Sequence, residues 1–304
     1  MTSDDDTAAP REARVSVPAL GVRALRVAPE AEPRETLALH RPGISRVHDY
    51  FLGGKDNYAA DRDLAHRILR VLPQAAESAR QGRAFVARAV RALAGRGIRQ
   101  FVDLGCGLPT ADNLHQMAAR HTWGSRVVYV DDDPLVIAHA RALLIEDGNI
   151  AALRADLRDP AAILGSPEWR RLIDPREPVA LVLSSVLHFL DDPHGPVAAL
   201  GEAVAPGSAL VVAHATADFA PEAAEATRLY REASGVPFVP RGAAEVERLF
   251  DPFTPLAPGV VPLTRWSPDP APPARPASAR PASVVPPPSR PALLYCGVGV
   301  RASA

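Results

Sequence analysis

The stretch that decides the fold reads FVDLGCGLPT and spans residues 101–110. Its first four residues form a short, mainly apolar run, which predicts a buried strand. Gly105 and Gly107 follow at once, and glycine lets the backbone turn sharply and pass close to a ligand. We therefore predict a strand that ends in a ligand-binding turn and leads into a helix over residues 110–121. A tight strand–helix turn without a ligand would show the same pattern, and that alternative stays open at this point.

The spacing of the glycines distinguishes between kinds of ligand. A dinucleotide-binding turn has the pattern Gly-x-Gly-x-x-Gly, in which the third glycine would fall at position 110. This chain has Thr110 there, preceded by Pro109. The turn therefore favours a smaller nucleoside over the pyrophosphate of a dinucleotide.

Apolar runs and helical patterns alternate after this turn. The runs predict five strands, at residues 99–104, 126–130, 150–154, 179–184 and 209–213. Alternation of this kind is typical of a parallel sheet with helices on both faces, and continuous apolar runs indicate strands that are covered on both faces. The last run, residues 293–301, predicts a final strand that pairs with residues 259–266 as an antiparallel hairpin. The fold class is therefore α/β, with a seven-stranded, mostly parallel sheet.

Composition divides the chain into segments. Residues 1–40 are rich in Pro, Ala, Arg and Glu, which predicts a mainly disordered tail. Residues 41–97 carry helical periodicity and predict an N-terminal helical cap. Residues 98–304 form the ligand-binding domain, and ten prolines among the 24 positions 268–291 predict an extended linker before its last strand.

Charge and cysteine content narrow the function classes. The chain has 304 residues, 34 basic and 35 acidic side chains and a net charge of −1. This balance gives no electrostatic footprint for nucleic acid or an anionic membrane. Cys106 and Cys296 cannot build a disulfide framework, which indicates a reducing compartment. Since neither a secretory leader nor a membrane-spanning run is visible, we expect a cytoplasmic protein.

Aspartates follow the second and third predicted strands. Asp131 ends the strand at 126–130, and its carboxylate could accept both hydroxyls of a ribose. Asp132 and Asp133 compete for that role, but Asp133 precedes Pro134 and so predicts a helix N-cap. Asp156 follows the third strand, where an acid can accept the amino hydrogens of adenine; a solvent-facing loop residue or a cap is the alternative. Because the carboxyl ends of parallel strands meet at one edge of a sheet, we expect these acids to share a crevice with the glycine turn.

The chain resembles class I methyltransferases that depend on S-adenosylmethionine (SAM). More closely, it resembles an actinobacterial family of S-adenosyl methyltransferases that was formerly a domain of unknown function. The motifs that carry the resemblance are DYFLGGKDNY at 49–58, RQFVDLGCGLPT at 99–110, VYVDDDP at 128–134, ADLRDP at 155–160, VLHF at 186–189 and HATAD at 214–218. The resemblance covers about residues 41–266 and the last strand. Cys106 and Asp132 depart from it, since Thr and Asn are expected at these positions.

The resemblance implies a Rossmann-like fold with SAM as the cofactor. It implies that Asp103, Gly105 and Gly107 line the methionine end of SAM, that Asp131 holds the ribose and that Asp156 holds the adenine. Two further residues complete the expected cofactor contacts. They are Leu157, which follows the predicted adenine ligand Asp156, and Ser184, at the end of the fourth strand.

The motif GGKDNY at residues 53–58 is unusual for a loop without a function. One interpretation is that it folds over the mouth of the site, so that Gly54, Lys55, Asn57 and Tyr58 contact SAM, with the tyrosine ring near the sulfonium. The alternative is structural: the two glycines end one helix, and Asp56 or Asn57 caps the next.

Three further side chains have candidate roles. Arg83 begins the helix that precedes the first strand and could reach the methionine carboxylate, although it could equally be a surface arginine. His188 follows the fourth strand and is a candidate general base for an oxygen or nitrogen acceptor. A histidine that only packs or hydrogen-bonds locally is the alternative, because alignment can accelerate an in-line methyl transfer without a base. His214, which ends the fifth strand, is a weaker candidate. No metal site is predicted.

These patterns predict a SAM-dependent methyltransferase that acts on a small-molecule acceptor. The sequence is compatible with a homodimer but does not decide the oligomeric state. A protein that binds SAM and regulates or scaffolds without transferring the methyl group is the first alternative. A nucleotide-dependent oxidoreductase is the second, and Thr110 argues against it.

Overall fold

The computed structural model describes residues 38–267 and 292–302. Apart from residues 38–40, the predicted disordered tail therefore lies outside the described residues. The same holds for the whole predicted linker at 268–291. In the described ranges, no helix is long and apolar enough to cross a membrane.

Five parallel strands form the centre of the sheet, in the order β3-β2-β1-β4-β5. They are β1 (Gln100–Leu104), β2 (Arg126–Asp131), β3 (Ile150–Arg154), β4 (Val179–Ser184) and β5 (Ala209–Ala215). The chain builds β1, β2 and β3 in one direction and then crosses to the other side of β1 to form β4. Such a reversal of strand order leaves a crevice at the carboxyl ends of the strands, here between β1 and β4.

An antiparallel part completes the sheet. Strand β8 (Leu294–Arg301) pairs with β5 along its whole length, and its other edge pairs with β6 (Phe253–Pro255) and β7 (Val261–Pro262). The pairing of the last strand with residues 259–266 is thus confirmed by β7. Among residues 38–267 and 292–302 the sheet has eight strands instead of the predicted seven, because β6 also pairs with β8. This three-residue strand ends in Pro255, a residue that is tolerated at a sheet edge.

The helices cover both faces of the sheet and form the N-terminal segment. The N-terminal helices are α1 (Ile44–Leu52), α2 (Ala59–Val71) and α3 (Ala75–Gly95). The others are α4 (Leu114–Ala119), α5 (Pro134–Leu143), α6 (Pro160–Leu164), α7 (Pro167–Leu172), α8 (His194–Ala203), α9 (Ala223–Ser234) and α10 (Ala243–Glu247). Short 3-10 turns lie at Leu187–Phe189 and Arg248–Phe250.

The helix after the glycine turn starts later than predicted. It begins at Leu114 and not at residue 110. The Asn113 side chain accepts a hydrogen bond from the Thr110 N–H at 2.9 Å and donates to the Thr110 carbonyl at 2.8 Å. These two bonds hold residues 110–113 as a loop, so the backbone that follows the glycines stays irregular for longer beside the crevice.

Two hydrophobic clusters pack on opposite faces of the sheet. Phe101 faces the cluster that contains Phe85 and Trp266, whose rings meet edge to face with centroids 5.2 Å apart. Val102 and Leu104 face the other cluster. Every residue of β1 is buried, as its near-continuous apolar run predicts for a central strand.

A buried carboxylate ties the N-terminal helices together. Asp61 on α2 is fully buried and accepts hydrogen bonds from Arg46 Nε at 2.9 Å, the Gly43 N–H at 2.8 Å and the Tyr58 N–H at 2.8 Å. All three donors lie at or near the starts of α1 and α2. The carboxylate therefore fixes α1 against α2.

We expect Asp61→Asn to lower the free energy of unfolding by about 3 kcal/mol, since it leaves the buried Arg46 guanidinium without its counter-charge. The amide nitrogen of the variant would also face an N–H group that now donates to the carboxylate, so that two donors would oppose each other. Urea denaturation measures the change. Asp63→Asn is the matched control on the same helix, where the side chain is exposed. Equal stabilities of the two variants would contradict this role.

Candidate functional site

A cleft with a volume of about 480 Å³ opens at the carboxyl ends of β1, β2, β3 and β4. The strand ends contribute Asp103, Gly105, Asp131, Asp156 and Ser184 to its lining. The N-terminal segment contributes the opposite wall, from Pro42 to Leu52. Residues that are far apart in the sequence and that were predicted to share a crevice are therefore neighbours here.

Both glycines of the turn have a backbone conformation that disfavours side chains, and Gly105 also lacks the space for one. Gly105 and Gly107 have φ angles of +69° and +66°, in the left-handed region that favours glycine. A Cβ atom on Gly105 would overlap the Val186 side chain. The Gly107 N–H donates to Asp131 Oδ2 at 2.9 Å, so the turn after β1 is joined directly to the end of β2.

Asp131 is held by backbone donors on both of its oxygens. Oδ2 accepts the Gly107 N–H, and Oδ1 accepts the Asp133 N–H at 3.1 Å. Burial raises the pKa of Asp131 to about 6, although both backbone hydrogen bonds lower it. Each oxygen keeps acceptor capacity that is free for a ligand. Asp133 instead caps α5 by accepting the Leu135 N–H at 2.8 Å, as its position before a proline predicts.

Asp103 is a buried carboxylate that forms no hydrogen bond to the described residues. Its exposed fraction is 6%, and it lines the cleft. Burial raises the pKa of Asp103 to about 7; the nearby charge of Asp131 also raises it, whereas Arg83 lowers it. A carboxylate in such a position is strongly stabilised by a cation that enters the cleft.

Arg83 lies in the middle of α3 and not at the start of a helix as predicted, and it lines the same cleft. Its Nη2 donates to the Asp112 carbonyl at 2.6 Å and to Thr110 Oγ1 at 3.3 Å. The guanidinium therefore anchors the irregular loop after the glycine turn. Because a guanidinium has five N–H donors, this anchoring leaves donors for an anionic group in the cleft.

The third strand end combines a charged and an apolar group. Asp156 pairs with Arg158 at 2.6 Å, and the hydrogen bonds from Arg158 lower the pKa of its carboxyl. Its neighbour Leu157 is buried and lines the cleft, where it gives an apolar surface for a flat ring. Ser184 lines the cleft from the end of β4.

The GGKDNY loop lies beside the cleft but does not line it. None of the predicted contacts Gly54, Lys55, Asn57 and Tyr58 belongs to the lining. The reason is local: Tyr58 takes the N-cap position of α2, and its ring faces Arg46 at 5.7 Å. The alternative in which the glycines end a helix agrees with Gly53, which closes α1 in the left-handed conformation at φ +81°.

The loop instead holds Asp49, for which the sequence patterns predict no role. Asp49 Oδ2 accepts Asn57 Nδ2 at 2.8 Å and the Asp56 N–H at 3.0 Å. A Cβ atom on Gly54 would overlap the Asp49 carboxylate, so a larger residue at that position would displace this side chain. Asp49 lines the cleft, and burial raises its pKa. The unusual motif therefore acts on the cleft through this carboxylate.

His188, the predicted base, is not part of the cleft. It is buried, packs against Phe189 and Phe238 at centroid distances of 4.4 and 4.7 Å, and lines a neighbouring cavity. Its Nδ1 accepts the Ala215 N–H at 3.4 Å, and burial lowers its pKa well below the usual value. The weaker candidate His214 is also buried, with its Nε2 at 3.1 Å from Arg241 Nη1.

His48 on α1 lines both the cleft and the neighbouring cavity. Its imidazole ring has no hydrogen-bond partner among residues 38–267 and 292–302, and burial lowers its pKa to about 4. The helical period offered a signal, because position 48 lies on the same face of α1 as Ile44 and Phe51. In the same two ranges, no three His, Cys, Asp or Glu side chains are grouped as metal ligands.

The domain is Rossmann-like and of the class I methyltransferase type. Its parallel core has a reversal of strand order, its sheet ends in antiparallel strands, and a polar cleft lies at the glycine turn. The model of the S-adenosyl methyltransferase family matches residues 30–301. A methyltransferase candidate from Thermobifida fusca YX is 39% identical, with a TM-score of 0.76 over 86% of this chain and 96% of that one. A DUF574 family protein from Streptomyces avermitilis MA-4680 is 37% identical, with a TM-score of 0.76 over 86% and 98%.

Among curated proteins, none matches the chain. The family match and these two structures agree, and the chain belongs to the S-adenosyl methyltransferase family. It is a SAM-dependent methyltransferase whose acceptor is unknown. The Rossmann-like fold that the sequence predicts is confirmed.

The raised pKa of Asp103 predicts how stability depends on pH. Because the pKa rises from 3.8 to about 7 on folding, the ligand-free folded protein binds a proton that the unfolded chain has released. The contribution of this bound proton to the free energy of unfolding is fully present below about pH 4. It is lost as the pH rises to about 7, at about 1.4 kcal/mol per pH unit. Asp103→Asn removes this dependence.

We therefore expect the free energy of unfolding of Asp103→Asn, relative to wild type, to rise by roughly 2–3 kcal/mol between about pH 5 and pH 7 and to level off above it. Urea titrations across this range measure the difference. Asp63→Asn, an exposed control, should differ from wild type by a constant amount. A constant difference for Asp103→Asn as well would contradict the buried ionisation.

Proposed function

We propose that SAM binds in this cleft along the line of strand ends, with its methionine part at β1, its ribose at β2 and its adenine at β3, and that the methyl group passes to a small-molecule acceptor. The observation that carries this proposal is the convergence of Asp103, Asp131 and the Gly105–Gly107 turn on one cleft. When bound, SAM supplies an electrophilic methyl group on a positively charged sulfur.

The charges at β1 suit the methionine part of SAM. Asp103 forms no bond to the described residues, and an ammonium group in the cleft would satisfy it and lower its pKa. Arg83 offers guanidinium donors to the carboxylate of the same ligand. An amino acid presents both groups on one carbon, and the cleft provides both partners.

The groups at β2 and β3 suit adenosine. Asp131 is held by two backbone donors, so its orientation is fixed before a ligand arrives, and each of its oxygens can accept one ribose hydroxyl. Leu157 provides an apolar surface for the adenine ring. Asp156 would accept from the adenine amino group in addition to its hydrogen bonds from Arg158.

The wall formed by α1 excludes water from the opposite side of the cleft. It brings the neutral ring of His48 and the carboxylate of Asp49 towards the strand ends. A less hydrated cleft strengthens the pairing of the acidic groups with a cationic ligand. Gly54 and Asn57 support the ligand through Asp49, while Lys55 and Tyr58 contribute to the loop outside the cleft lining.

The cellular setting is part of the proposal. The free cysteines Cys106 and Cys296 are compatible with a reducing compartment, and we infer the cytoplasm as the location. A small-molecule acceptor, with no nucleic-acid partner, agrees with the neutral charge balance. A homodimer stays a prediction.

We expect Asp131→Ala to weaken SAM binding by roughly 1–3 kcal/mol, the range for the loss of hydrogen bonds to a charged group. Isothermal titration calorimetry with wild type and variant measures the dissociation constants. Asp159→Asn, which keeps a capping side chain at α6 outside the cleft, is the control and should bind as wild type does. An unchanged constant for Asp131→Ala would remove the ribose assignment.

A further inference from the structure

A second cavity adjoins the cleft, with a volume of about 140 Å³. The two share the lining residues Ile44, His48, Ala79, Ser185 and Phe189. These shared residues, here called the neck, lie between the cleft and a chamber that is bordered by α1, α2, α3 and α9. The neck lies beside the end of β4, on the same side of the sheet as the glycine turn.

The backbone is strained at the neck. Ser185 has a φ angle of +62°, and it is the only described residue other than glycine in the left-handed region. A non-glycine residue with such a backbone costs energy that the surrounding structure must offset, and such residues cluster at functional sites. The surrounding structure holds Ser185 in this conformation where the two cavities adjoin, and the Ser185 N–H donates to the Ala213 carbonyl at 2.9 Å.

The chamber has no permanently charged lining. None of its lining residues is Asp, Glu, Lys or Arg. Its two histidines, His48 and His188, have pKa values lowered by burial and are neutral at neutral pH. A charged molecule that entered would lose its hydration without gaining a counter-ion, which is strongly unfavourable.

One wall of the chamber is aromatic. The Phe238 ring lies 4.7 Å from His188, 5.4 Å from Phe189 and 5.2 Å from Tyr230, measured between centroids. Tilted and edge-to-face clusters of this kind pack well against another flat ring. On α9, Thr227 Oγ1 is buried without a hydrogen-bond partner among the described residues, so the chamber also offers a neutral polar group.

We propose that this chamber is the acceptor site and that the acceptor is a small, uncharged compound with an aromatic body, whose hydroxyl or amine points through the neck towards the cleft. The inference rests on the proposed function. In the transfer, a lone pair of the acceptor oxygen or nitrogen forms the bond to the methyl carbon, while the electron pair of the carbon–sulfur bond returns to sulfur. The acceptor proton leaves at the neck to the unpaired imidazole of His48 and from there to solvent.

The test uses two probes with the same ring system and different charge, 1-naphthol and 1-naphthoate. Each is titrated by calorimetry into the full-length protein saturated with S-adenosylhomocysteine. We expect 1-naphthol to bind at least about tenfold more tightly than 1-naphthoate. Equal or tighter binding of 1-naphthoate, or no binding of 1-naphthol, would overturn the proposal.

Variants locate the bound probe. Ala226 lies on α9 in the chamber wall, and Ala226→Phe fills the space; we expect it to weaken 1-naphthol binding about tenfold or more and to leave S-adenosylhomocysteine binding unchanged. Ala224→Phe, an exposed position on the same helix, should change neither. Unchanged 1-naphthol binding by folded Ala226→Phe would contradict the assignment.

A second variant covers the case in which Ala226→Phe fails to fold. Phe238→Ala removes the ring at the centre of the aromatic wall, and it should also weaken 1-naphthol binding selectively. Unchanged binding by this variant would count equally against the chamber. Failure of the wild-type protein to bind S-adenosylhomocysteine would refute the proposed cofactor cleft instead, so the two failures can be told apart.

Discussion

The hydrogen bond from the Gly107 N–H to Asp131 joins the first two strand ends, and the geometry of the cleft depends on it. It requires a left-handed backbone after β1, and it fixes a carboxylate at the end of β2. A second carboxylate, that of Asp103, lies near Asp131 in a buried position. Burial raises the pKa of both acids. The cleft therefore holds negative charge that the protein alone neutralises poorly, and a bound sulfonium compound with an ammonium group would offset that cost.

The N-terminal helices complete the cleft. Asp61 fixes α1 to α2, and the GGKDNY loop binds Asp49 with a side-chain amide and a backbone N–H. Both contacts orient the wall that faces the strand ends. The same wall carries His48, so that one helix contributes to the cleft and to the neighbouring chamber. This arrangement explains why a polar loop that lies outside the cleft could still influence ligand binding.

The parallel core could be predicted from the sequence because its strands are near-continuous apolar runs, and because Gly, Asp or Ser lies at or just after the ends of β1 to β4. The same rule places Asp103, Asp131 and Asp156 at one edge of the sheet. Two local features explain why the start of α4 and the strand β6 were not predicted. Asn113 binds the backbone of Thr110 and delays α4, and β6 has only three residues, too few for a period to be visible.

Side-chain direction was the harder part of the site to predict. The pattern of the GGKDNY loop marks it as unusual, but it does not show that the loop points its polar groups at Asp49. His188 follows β4, yet the 3-10 turn Leu187–Phe189 turns it into an aromatic cluster away from the cleft. His48 belongs to a helix that precedes the sheet by about fifty residues, and only the tertiary packing brings it to the strand ends.

A crystal structure of the protein with S-adenosylhomocysteine tests the central claim most directly. The account predicts the nucleoside in the cleft, with both ribose hydroxyls within hydrogen-bond distance of the Asp131 carboxylate and the amino group of the homocysteine facing Asp103. The sulfur should then face the neck near Ser185. A ligand bound elsewhere, or one with its ribose turned away from Asp131, would contradict the account.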